Sequence, residues 1–116
     1  MITCCLTYVI DPFKIDEFEA YGRQWMPLVD RFGGVHHGYY LPSEGANNVA
    51  MALFSFPSLA RYEEYRAASA ADPDCIAARN YARETRCFLS LERTFFRPLP
   101  VTRSGDRVTA ASSRWE

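Results

Sequence analysis

No stretch of this chain carries the roughly 18 consecutive apolar residues that a membrane helix needs. The opening Met1-Ile2-Thr3-Cys4-Cys5 also lacks the basic start of a secretory signal. Membrane insertion is therefore not expected. Cysteines at metal or redox spacing are missing too: Cys4, Cys5, Cys75 and Cys87 include no pair two or three residues apart on a turn. Cys4 and Cys5 are neighbours in a run that reads as a strand, so they point to opposite faces and cannot share an ion. Four small buried hydrophobes in a reducing compartment fit this usage, which points to the cytoplasm. Charge of one sign is also lacking, with 13 basic against 14 acidic residues, a net charge of −1 and a pI near 6.1. Nucleic-acid binding needs a clustered basic surface, so it is not expected. Lysine is nearly absent, since 12 of the 13 basic residues are arginine. Beside the abundant alanine, this reads as compositional bias and not as a set of separate signals. A Gly-rich phosphate loop, a Ser-His-Asp pattern and a nucleophile elbow are all missing, so no cofactor and no metal is expected.

What is present is a globular composition, with 48% apolar, 15% aromatic and 23% charged residues over 116 positions, the size of one domain. Ile2 to Ile10 is rich in β-branched and aromatic residues and reads as a strand. Asp11-Pro12 is expected to end it and to cap a helix whose apolar stripe is Phe18, Tyr21, Trp25, Leu28, Val29 and Phe32. Pro27 is expected to kink that helix, and Gly33-Gly34 to stop it. Val35 to Leu41 and Val49 to Phe56 read as two strands joined by a loop with Pro42, Gly45, Asn47 and Asn48. Ser58 opens a helix through Leu59, Tyr62 and Tyr65, and Asp72-Pro73 restarts one through Ile76, Ala77, Asn80 and Tyr81. Cys87 to Arg97 reads as the last strand.

The order is βαββαβ, the ferredoxin-like α+β arrangement: a four-stranded antiparallel sheet with helices on one face. Residues 1–98 form this domain, and residues 99–116 a polar tail. The sheet face away from the helices has to meet water or a partner, and neither face is charged in the manner of a solvated sheet. A contiguous apolar face marks an interface, and two sheets packed face to face in a homodimer satisfy it. On this basis Phe54→Asp or Phe56→Asp is expected to impair assembly or folding. Val101, Val108 and Trp115 punctuate the tail, which is expected to cross onto the partner as an arm anchored by Trp115.

Several short motifs add a resemblance. The stretch Tyr8-x-x-Asp11-Pro12-x-Lys14-x-Asp16-Glu17-Phe18 resembles the first strand and helix start of the NIPSNAP family. Pro27 with Gly33-Gly34, Asn48-Val49, Phe56-x-Ser58-Leu59-x-Arg61, Ala71-Asp72-Pro73 and Glu92-x-x-x-Phe96-Arg97-Pro98 resemble its later blocks. The likeness spans roughly residues 2 to 98 and implies a dimeric α/β barrel. The acidic and basic residues that the family often carries before the tyrosine are here Cys4 and Leu6, so chemistry resting on that pair does not carry over.

Few polar side chains fall on the apolar strands. His36 and His37 are adjacent, so one faces the helices or rim and the other the opposite side; each could move a proton or simply be a hydrogen-bonded strand residue. Tyr8, Tyr39 and Tyr40 could supply phenol donors, though large amphipathic rings are ordinary at interfaces. Glu92 sits among apolar residues, where burial would raise its pKa unless an ion pair held it. The expected ligand-binding set is Tyr8, His36, His37, Tyr40 and Glu92, around a pocket for a small apolar molecule. With no catalytic constellation visible, a homodimeric binding or structural module is expected. The alternative is a cofactor-independent enzyme, monooxygenase- or isomerase-like, acting on a small aromatic or polyketide-like substrate, as some related dimeric barrels do.

Overall fold

The computed structural model describes residues 1–101. The expected tail arm and its Trp115 anchor lie outside the described residues. Seven elements run in the order β1 (Ile2–Ile10), α1 (Ile15–Arg31), β2 (Val35–Tyr40), β3 (Val49–Phe56), α2 (Leu59–Ser69), α3 (Pro73–Thr85) and β4 (Phe88–Phe96). The strands form one sheet in the order β2-β3-β1-β4, with every pairing antiparallel. This is the ferredoxin-like arrangement expected from the order of elements. Among the described residues no helix is long and apolar enough to cross a membrane.

Helix starts obey local hydrogen-bond chemistry. Ser58 Oγ accepts the Arg61 N–H at 3.2 Å, and Asp72 accepts the Cys75 N–H at 3.0 Å with Pro73 opening α3. The entry to α1 differs from expectation. Asp11 spends its carboxylate two residues on, accepting the Phe13 N–H at 2.9 Å, and Pro12 lies in that turn. The helix therefore begins only at Ile15, without a side-chain cap, and it runs on through Pro27.

Alternation along the strands sorts the two sheet faces. Cys4, Leu6, Tyr8 and Ile10 of β1, with Ala50, Ala52, Phe54 and Phe56 of β3, are buried beneath the helices. Phe56 packs on Tyr65 of α2 with ring centroids 5.1 Å apart, and Phe54 and Phe56 both meet Tyr62. These two phenylalanines belong to the core and not to the outer face, so charged substitutions there act through folding. α1 and α3 join over Leu28, Cys75 and Ala78.

The outer face carries Thr3, Cys5, Thr7 and Val9, then Val49, Met51 and Leu53, and Ser90, Glu92, Thr94 and Phe96. Glu92 is exposed there opposite Thr7 and has no ion-pair partner among the described residues, where burial had been expected.

β2 breaks the alternation. Its register against β3 slips between His36 and Gly38, and Gly38 has φ of 123°, a conformation that side chains rarely adopt. The bulge reverses the parity of the strand beyond it, so Tyr39 joins His36 on the helix side and Tyr40 turns to the outer face beside Met51.

Candidate functional site

Between the sheet and the helices lies a cavity of about 690 Å³, within the range of small-molecule sites. Its floor is aromatic and begins with Tyr8 of the central strand β1, which is fully buried. The Tyr8 ring meets Phe18 edge-on at 4.9 Å and Phe88 at 5.0 Å, while Tyr21 and Tyr39 stand at 6.4 Å and 6.2 Å. Tyr39 is held against α1 at Gly22, where even a methyl group would come within 3.0 Å of its ring. Burial, and then the neighbouring phenols, push the Tyr8 hydroxyl well above its ordinary pKa; burial likewise raises Tyr21, Tyr39 and Tyr65. All four present neutral phenols at physiological pH.

His36 stacks on Tyr39 with centroids 5.1 Å apart and rings 12° from parallel. Its Nδ1 accepts the Gly38 N–H at 2.9 Å, so the neutral ring carries its proton on Nε2. Burial pulls its pKa down to about 4, overcoming the opposing pull of Asp30. His36 is thus an uncharged donor and not a proton acceptor near neutrality.

The walls are cationic. Arg66 of α2, Arg79 and Arg83 of α3, Arg86 at its C-terminal cap and Arg93 of β4 all line the cavity, and no carboxylate of the described residues does. Arg79 is fixed by a 2.7 Å hydrogen bond to the Ser69 carbonyl, with its guanidinium 5.9 Å from the Trp25 ring centre. Arg66 donates to the Tyr62 hydroxyl at 3.1 Å. Trp25 also lines the cavity, and its Nε1 is buried with no hydrogen-bond partner among the described residues.

The expected ligand-binding residues divide between the two sheet faces. Tyr8 and His36 line the cavity. His37, Tyr40 and Glu92 lie on the outer face, where His37 Nε2 and Ser55 Oγ are 2.7 Å apart and Ser55 Oγ and Thr3 Oγ1 another 2.7 Å. Three features of the cavity escaped sequence reasoning. Tyr39 was only one of three candidate phenols, although a glycine inside a strand is a bulge signal that would have reversed the parity. Trp25 and Tyr21 read as ordinary core. The arginines read as bias, although Arg79, Arg83 and Arg86 recur at steps of four and three, one helix face. Among the described residues no three His, Cys, Asp or Glu side chains converge as a metal site.

Solved structures with this fold set the site in context. A NIPSNAP family protein with unknown function from Agrobacterium tumefaciens superposes with a TM-score of 0.75 at 20% identity, covering 88% of this chain and 91% of that one. An uncharacterized NIPSNAP domain protein from Burkholderia xenovorans gives 0.72 at 18% identity, with 90% and 100% covered. A putative antibiotic biosynthesis monooxygenase from Nitrosomonas europaea gives 0.67 at 8% identity, with 86% and 100% covered. At these identities the likeness shows the fold alone. No protein of curated function matches the chain. The sequence profile of one family spans residues 5–103, most of the chain and every wall of the cavity, and by that match the chain belongs to the NIPSNAP family.

Proposed function

We propose that this chain is a homodimeric binding module that takes a small molecule with an apolar body into the cavity between sheet and helices. One observation carries the binding role: the cavity is walled by aromatic rings, and no group lining it with a displaced pKa is displaced towards neutrality. His36 is pushed down to about 4, and the buried phenols are pushed up. General acid–base catalysis works best with a group poised near the operating pH, so this lining favours holding a molecule over moving its protons. Tyr8 and His36, with Tyr39 beside them, offer neutral hydroxyl and N–H donors to orient the ligand.

The dimer rests on the outer face, where Val9, Val49, Met51, Leu53 and Phe96 outnumber the single charge of Glu92. A second copy of this face would cover it and would bring His37 and Tyr40 into the seam.

Titration of the purified chain with the neutral fluorophore N-phenylnaphthylamine tests the cavity. Saturable binding is expected, and Ala82→Trp, which fills the cavity from α3, is expected to abolish it without lowering the melting temperature. Binding unchanged in that variant would place the probe elsewhere and overturn the assignment. Chemical conversion of a bound aromatic substrate by the chain alone would instead favour the cofactor-independent enzyme.

A further inference from the structure

We infer that the cavity's ligand is an organic anion, an apolar body carrying a carboxylate, sulfonate or phosphate head that the arginine wall receives. This rests on the cavity being a binding site, and it adds the charge of what binds there.

The observation is one of segregation. Of the nine arginines in the described residues, Arg23, Arg31 and Arg61 pair with carboxylates on the outer surface of the helices. The other six have no carboxylate partner among those residues, and five of them line this one cavity; the sixth is Arg97. Compositional bias accounts for arginine replacing lysine. It does not account for arginines from α2, α3 and β4 meeting in one place with no carboxylate of the described residues beside them in the lining. Arg79 is half-buried and the other four are exposed, so water screens but does not abolish their mutual repulsion, and a bound anion relieves what remains.

Two further observations point the same way. The buried Trp25 Nε1 makes no hydrogen bond of good geometry among the described residues, although the Tyr21 hydroxyl is near enough to feel it, and such groups in native proteins call for a better partner. Arg86 sits at φ of 52°, the left-handed region where a helix end favours glycine, yet it carries a guanidinium into the cavity lining. Guanidinium groups form paired hydrogen bonds to planar or tetrahedral oxyanions, so the wall fits an oxyanion head.

Two fluorophores with the same ring system test this on the full chain: anilinonaphthalene sulfonate, which is anionic, and N-phenylnaphthylamine, which is neutral. The sulfonate is expected to bind about tenfold tighter, the gain of one well-formed charge-assisted contact. Arg79→Gln and Arg93→Gln are each expected to remove most of that advantage while leaving the neutral probe within about twofold. Arg93, Arg83 and Arg86 are all exposed side chains, so Arg93→Gln, Arg83→Gln and Arg86→Gln keep the test valid if Arg79→Gln lowers stability. Raising the salt from about 0.05 M to about 0.5 M should weaken only the sulfonate. Arg97→Gln, outside the cavity, should change neither. Equal affinity for both probes, or equal loss in Arg97→Gln, overturns the inference while leaving the cavity as a site for neutral molecules. Failure of both probes to bind the unmodified chain overturns the binding site itself.

Discussion

Arg86 is the residue where stability and the proposed anion binding pull apart. A non-glycine residue in the left-handed region costs about 1 kcal/mol, and Arg86 holds φ of 52° at the end of α3. Arg86→Gly is therefore expected to leave the chain as stable or up to about 1 kcal/mol more stable by urea unfolding, while it weakens binding of the anionic probe. A clear loss of stability would mean that the guanidinium serves the fold. Gly38 shows the opposite constraint. A Cβ there would meet nothing within 4 Å, so Gly38→Ala acts only through φ of 123°, at a cost of about 1–3 kcal/mol. Because the bulge brings Tyr39 inward, the same change should also weaken binding of the neutral probe. His36 supplies a pH signature. Its folded pKa of about 4 lies below the ordinary 6.5, so the unfolded chain takes up the proton first. The stability it provides is whole above pH 6.5 and is lost as the pH falls towards 4. Allowing for the partial exposure of the ring, the stability difference between the unmodified chain and His36→Gln should shrink by about 1–2 kcal/mol over that window in urea titrations. A constant difference would mean that the imidazole is not desolvated.

Elements were legible where one local rule acts unopposed. Ser58 and Asp72-Pro73 announce α2 and α3 because a short oxygen side chain before a helical stripe has one good use. Ser58→Ala should cost about 1 kcal/mol by thermal unfolding, since the Arg61 N–H loses its acceptor. The same signature at Asp11-Pro12 misplaces the start of α1, because the carboxylate has a nearer donor in Phe13 N–H. Strand existence was equally plain, but strand parity was not. One inserted residue in β2 exchanges Tyr40 for Tyr39 in the cavity, and a single glycine at position 38 marks it. Tyr8 and His36 were legible as polar groups on apolar strands. The arginine wall was not, because it is assembled from α2, α3 and β4, which meet only in the folded chain. Phe54 and Phe56 show the same limit: the alternation pairs them on one face, and only the fold says that the helices cover it.

For the whole molecule, the two faces of the sheet have separate uses in the proposed function, a binding cavity under the helices and an apolar outer face for a second copy. They can be tested independently. Met51→Asp changes only the outer face and should give a monomer with an unaltered circular dichroism spectrum, against a dimer for the unmodified chain in sedimentation. Phe54→Asp should instead unfold the chain, since it buries a charge beneath α2. A stable monomer of the unmodified chain at micromolar concentration would rule out the second copy and leave the cavity. The proposed binding depends on that cavity, and the indole N–H of Trp25, which lines it, reports on it directly. The chain has two tryptophans, so an amide-correlation NMR spectrum contains two indole signals, and Trp25→Phe identifies the one that matters. On titration with anilinonaphthalene sulfonate, the Trp25 signal should move downfield and saturate with the fluorescence titration, as a donor with no well-formed hydrogen bond among the described residues gains a charged acceptor. A Trp25 signal that stays fixed while the probe binds to saturation would show that the probe, and the ligand it imitates, sit somewhere other than the cavity.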